Sequence, residues 1–244
     1  MGMNEMIQFF KQISGKISPN IYAGIQGQST PQQIAFLRQV QREMKQNNAL
    51  ESPLHELKVV VFDLETTGFH PDKGDQVISI GAVKMVGSQI REAETFYSLI
   101  KSNLPLSEEI AALTNIQESE LKAAPSASEV LIKFMQFIKS DSLIAHHAKH
   151  EQSFMQKMTW DLLRTKFNHR IIDTSFLIRL SNPSIKSWPL EDVCTQCGID
   201  IKNRHHALGD AMMTAQIWSH FLQLAHIKGF TNLQEVYEYL AKID

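Results

Sequence analysis

Asp63 and Glu65 stand one residue apart at the end of the β-branched run KVVVFDLETTG. Side chains on a strand alternate between faces, so the two carboxylates point the same way. Like charges side by side at the end of a buried strand repel unless a cation sits between them. The pattern therefore asks for a hard divalent metal with oxygen ligands. Two further acids have spacings that let them converge on a pair of such ions: Glu151 in SLIAHHAKHEQSF and Asp210 in RHHALGDAMMTA. His205 precedes Asp210 by five positions. A neutral imidazole there suits the task of accepting a proton from an attacking water.

These residues need elements to hold them. From Leu57 the periodicity is that of strands: a buried run over residues 57–64, a second strand over 77–86, a tight reversal at Gly87-Ser88 and a third strand over 90–100. A helix is predicted over 128–139, with Val130, Phe134, Phe137 and Ile138 on one face. Short apolar runs at 143–145 and 170–172 read as later strands, each followed by a helix. Asp210 opens an amphipathic run with Ala211, Ala215, Trp218 and Leu222, and residues 231–240 form a short terminal helix. Residues 1–56 differ in character, being rich in Gln, Asn, Ser and Met. There, Thr30, Pro31 and Gln33 form a helix start with a capping box, and Ile34, Leu37, Val40 and Met44 follow on one face. That helix docks on the main domain or serves as a partner-binding or substrate-guiding arm.

On these motifs the chain resembles the DEDDh-type 3′-to-5′ exonucleases, the family of proofreading subunits of replicative polymerases within the ribonuclease H-like fold. FDLETTG matches the first exonuclease motif, AHHAKHE occupies the second, and His205 with Asp210 forms the third. The resemblance covers roughly residues 57–225 and implies an α/β fold: a five-stranded mixed sheet flanked by helices. The domain plan is then a helical extension (1–56), an exonuclease domain (57–226) and a helical tail (227–244). The resemblance further implies two divalent cations, Mg²⁺ or Mn²⁺, held by Asp63, Glu65, Glu151 and Asp210. Asp63 bridges them, Glu65 binds the ion that activates water, and His205, favoured over His206 by family spacing, is the base. Thr66, Thr67 and Phe69 border the terminal nucleotide, and His150 stands where the family has an aromatic. The implied activity is release of nucleoside 5′-monophosphates from 3′ ends of DNA or RNA, single-stranded, with a DNA polymerase as a possible partner. A binding or docking module with a decayed second motif is the alternative.

The second motif departs from the family pattern. His147 replaces Asn and Glu151 replaces Asp, one methylene longer. His146 and His150, one helical turn apart, suggest either a polar site wall or a transition-metal pair. Asp173-Thr174 reads as a helix cap.

Composition bounds the rest. A chain of 244 residues with a formal net charge of −2 does not carry the basic face of a duplex-wrapping protein. Bound cations relieve a nuclease of that need. The two cysteines, Cys194 and Cys197, share a helical face with Leu190 and Val193 and read as core. No signal peptide or membrane-length apolar run is evident, so a cytoplasmic location without membrane contact is expected.

Overall fold

The computed structural model describes residues 39–40, 42–44, 48–183 and 188–243. Strand β1 (Lys58–Thr66) is the axis of the fold, because it is buried on both faces. It pairs antiparallel with β2 (Val77–Val86), which pairs antiparallel with β3 (Gln89–Leu99). On its other edge it pairs in parallel with β4 (Ser142–Ala145), and β4 with β5 (Ile171–Asp173). The sheet order β3-β2-β1-β4-β5 is the mixed five-stranded arrangement expected from the resemblance.

Short helices α1 (Glu108–Thr114) and α2 (Glu118–Ala123) lead into α3 (Ala127–Ile138). Helix α4 (Lys149–Leu163) crosses between β4 and β5. After β5 come α5 (Ser175–Ile178), α6 (Leu190–Cys197), the long α7 (Ala207–Ile227) and α8 (Leu233–Ile243).

The alternation of β1 divides the interior into two cores. Val60, Phe62 and Leu64 pack with Val130, Phe134 and Phe154 of α3 and α4. Val59 and Val61 pack on the opposite face with Trp218, Ile217 and Phe221 of α7. Continuing the period of two, Asp63 and Glu65 fall on the α7 face. The strand thus aims both acids at the helix that carries Asp210.

That helix can approach only because of a glycine. Gly81 lies opposite Asp63 in the β1–β2 register. A Cβ built there would sit 2.1 Å from the backbone nitrogen of Leu208 and 2.2 Å from the carbonyl carbon of Ala207. Gly81→Ala should therefore push the start of α7 off the sheet. The expected cost is about 1–3 kcal/mol of stability, and a rate loss approaching roughly 10²-fold, the scale of an ångström-sized misplacement. Thermal melting and a turnover assay would check this, and wild-type values in both would show that α7 is not seated through Gly81.

Cys194 is buried and Cys197 partly so, within the α6 face that joins the α7 core. In the N-terminal part, residues 39–40 and 42–44 are helical. Val40 is buried, and Glu43 accepts a hydrogen bond from the Ser140 hydroxyl at 3.1 Å. Thr30, Pro31, Gln33, Ile34 and Leu37 lie outside the described residues. Leu233, Val236 and Leu240 of α8 are buried in the α7 core. Residues 50–54 are tied to the start of α8, with Leu54 N–H donating to Thr231 O at 2.8 Å and Gln234 N–H to Leu50 O at 2.9 Å.

Candidate active site

The C-terminal ends of β1 and β4, the start of α4 and the start of α7 meet in a cleft of about 610 Å³. Ligands bind outside the carboxyl ends of parallel strands in open α/β sheets, and this cleft has that place. Asp63, Glu65 and Asp210 each offer a carboxylate oxygen within 4.8 Å of the other two. Glu151, in the first turn of α4, lines the same cleft but lies outside this triangle. One oxygen each of Glu65, Glu151 and Asp210 is buried with no hydrogen-bond partner. Buried carboxylates without partners are costly, and three in one cleft fit a site built around cations.

The electrostatics agree. Burial pushes the Asp63 carboxyl well above the ordinary carboxylate range, and the charges of Glu151, Glu65 and Asp210 push it further. Burial, then Asp210, lifts Glu65 to about 7. Glu151 rises to about 8, from burial first and then from Asp173 and Glu65. Asp210 rises to about 6 by burial, against the pull of Arg204.

His205 has a left-handed backbone, φ 60°, and its N–H donates to Asp210 Oδ2 at 3.3 Å. His147 (φ 60°), which also lines the cleft, is left-handed too, so two non-glycine residues in a strained region sit at its wall. Burial, then the Arg204 charge, lowers the His205 pKa, which favours the neutral ring. His206 faces away: its ring stacks on Tyr97 of β3, centroids 4.4 Å apart.

The histidines after β4 divide by role. His146 has both ring nitrogens engaged, Nδ1 with Thr174 Oγ1 and Nε2 with the Trp188 carbonyl, each at 2.7 Å. It clamps the β5–α5 turn to the segment before α6, and the transition-metal alternative loses its first ligand. His150 lies 3.5 Å from Thr66 Oγ1 and edge-on to Phe69. Phe69 is 79 % exposed at the cleft mouth, a surface onto which a base can stack.

Thr66 lines the cleft, whereas Thr67 is absent from its wall. Thr67 N–H donates to Gln76 O and its hydroxyl accepts from Gln76 N–H, both at 2.9 Å. Thr67 thereby builds the turn that follows β1. Asp173 exceeds its expected role as a cap. One oxygen accepts from Ser175 N–H at 2.8 Å and the other from Ala148 N–H at 2.7 Å, fixing the loop before α4.

Arg204 and Glu191 are cleft residues that the motifs did not single out. Arg204 contacts Asp210 and donates through Nε to Glu191 Oε1 at 2.5 Å. A cation directly before His205 in NRHHALGD was the available signal. Its pairing with Glu191 depends on the α6–α7 packing, which the sequence does not display. Apolar walls come from Ile110 and Leu113 of α1 and Leu190 of α6.

A mixed sheet of this order, with acids converging at the end of its central strand, has the ribonuclease H-like fold expected from the resemblance. Residues 60–218 match the RNase T exonuclease family model, and the chain belongs to that family. It is 38 % identical over 158 residues to a PolC-type DNA polymerase III of Clostridium perfringens, covering 65 % of this chain and 11 % of that protein. It is 32 % identical over 164 residues to the DNA polymerase III subunit epsilon of Aquifex aeolicus, covering 67 % of this chain and 80 % of the relative. The chain thus spans about a ninth of the PolC-type protein and most of the epsilon subunit. Among solved structures, Escherichia coli exonuclease I with a dT13 oligonucleotide superposes with TM-score 0.57 at 15 % identity, covering 75 % of this chain and 43 % of that one. A 3′-exonuclease studied for recognition of a histone mRNA stem-loop gives TM-score 0.60 at 20 % identity, covering 68 % and 81 %. These two likenesses establish the fold.

Proposed function

We propose that the chain removes nucleoside 5′-monophosphates one at a time from single-stranded 3′ ends by divalent-metal-dependent hydrolysis. The observation that carries this reading is the triangle of Asp63, Glu65 and Asp210 at the end of β1, with buried oxygens left unpartnered. Asp63, Glu65 and Asp210 would hold one cation, and Asp63 with Glu151 a second. Bound there, the ions would acidify the attacking water and offset charge on the phosphodiester and its leaving oxygen.

The remaining work belongs to side chains. His205, neutral by its surroundings, takes the proton of the attacking water. Phe69 stacks on the terminal base while Ile110 and Leu113 exclude water from its far side. Such contacts read no sequence, so any 3′ nucleotide is accepted. The relatives named as DNA polymerase III proteins favour a DNA end and a polymerase partner. Among the described residues no helix is long and apolar enough to cross a membrane.

Glu151 supplies a test of the second position. Mg²⁺ demands near-ideal octahedral geometry, and a carboxylate one methylene too long penalises it more than Mn²⁺. Wild type should prefer Mn²⁺, Glu151→Asp should raise the Mg²⁺-supported rate, and Glu151→Ala should lose activity with either ion. The assay uses labelled single-stranded DNA, its RNA counterpart and a blunt duplex, with each ion. Binding of single strands without hydrolysis under every condition, unrescued by Glu151→Asp, would leave a nucleic-acid-binding module in place of an enzyme.

A further inference from the structure

Among the described residues lining the cleft, Arg204 is the only arginine or lysine. The acids around it are Asp63, Glu65, Glu151, Asp210 and Glu191. Its Nη1 contacts Asp210 Oδ2 and lies 3.2 Å from Nδ1 of His205, while its Nε holds Glu191. The guanidinium therefore holds Oδ2 of Asp210, whose companion Oδ1 is left unpartnered, and donates to Nδ1 of the proposed base at once. Glu191 lies outside the triangle, on the first turn of α6, with its side chain 39 % exposed against 4 % for Asp210. One end of the Arg204 bridge is thus anchored away from the ligands and the other sits among them.

A buried cluster of like charges needs bound protons or a counter-charge whenever its cations are absent. We propose that Arg204 is a tethered placeholder cation. In the metal-free protein it neutralises Asp210 and restrains His205. On metal entry it releases Asp210 and remains held by Glu191 at the cleft wall. The proposal rests on the metal-dependent reading above. It makes Arg204 a positioning residue that competes with the divalent ion for one carboxylate.

Competition has a signature that a merely structural arginine lacks. Arg204→Gln removes the competitor, so metal should bind more tightly although the metal-free protein is less stable. Glu191→Gln removes the outer anchor and leaves the guanidinium to Asp210 alone, so metal should bind more weakly. The two substitutions at opposite ends of one ion pair shift affinity in opposite directions.

The experiment titrates the chelator-stripped full chain with Mn²⁺ alone, reading free Mn²⁺ by electron paramagnetic resonance, with metal-free melting measured in parallel. Arg204→Gln should bind Mn²⁺ about tenfold more tightly, the scale of one lost competing interaction, and melt lower. Glu191→Gln should bind several-fold more weakly, and Arg204→Lys should fall between wild type and Arg204→Gln. Equal affinities across the series, or weaker binding by Arg204→Gln, would overturn the placeholder role while leaving the metal site intact. An absence of Mn²⁺ uptake by wild type and all variants would instead overturn the metal-dependent reading and the placeholder with it. If Arg204→Gln does not fold, Glu191→Gln and Arg204→Lys still decide: the first must weaken binding and the second must not.

Discussion

Asp63→Ala is expected to abolish hydrolysis, by at least about 10³-fold, the scale of losing a preorganised group that stabilises developing charge. The metal-free protein should meanwhile melt at the same temperature or higher. Asp63 is raised well above the ordinary carboxylate range by burial and by three neighbouring acids, so its removal relieves repulsion in the folded state. A pH dependence follows from the same cause. Glu65 at about 7 and Glu151 at about 8 hold protons more tightly when folded than when unfolded. Their penalty is absent below the ordinary carboxylate range, grows as pH rises, and is complete above the folded values. His150 and His205, lowered in the fold, act in the opposite sense but below their ordinary value. In chelator, melting temperature should therefore fall between about pH 6.5 and 8.5, and Asp63→Ala should flatten that fall. Wild-type turnover by Asp63→Ala would place the chemistry elsewhere.

Losing His205 should be nearly as severe. As the proton acceptor it contributes roughly 10²–10⁴-fold, and His205→Ala should fall by that factor while still binding Mn²⁺. At saturating metal the wild-type rate should drop on the acid side as His205 protonates. Because its pKa is lowered, this limb lies below the ordinary histidine value, and it should vanish in His205→Ala. His206→Ala should lose less than about tenfold, since that ring stacks on Tyr97 rather than facing the cleft. Equal losses in the two variants, or a larger one for His206, would reverse the assignment.

The legible part of this molecule is the part governed by short-range periodicity. The alternation in KVVVFDLET places Asp63 and Glu65 on one face, and strand periodicity with short apolar runs marks the five strands. Helices α1 and α2, at seven and six residues, are too short for periodicity to announce. They are set by local capping, Ser107 accepting from Ile110 N–H and Gln117 pairing reciprocally with Glu120. What stayed hidden depends on packing between distant segments. Nothing near His146 reveals that Trp188 takes its second ring nitrogen. The partition of Thr66 toward the cleft and Thr67 toward Gln76 depends on how the chain turns after β1. Arg204 lay in plain view beside His205, yet its partner Glu191 comes from another helix.

Hydrolysis in water enriched in oxygen-18 tests the central claim most directly. Single-stranded DNA labelled at its 3′ end is incubated with wild-type protein and Mn²⁺, and the products are identified by mass. If water attacks at a site assembled by Asp63, Glu65 and Asp210, nucleoside 5′-monophosphates carrying one oxygen-18 in the phosphate should appear, and Asp63→Ala should yield none. Release of 3′-phosphorylated products, mononucleotides without the label, or an oligonucleotide bound but left whole would contradict it.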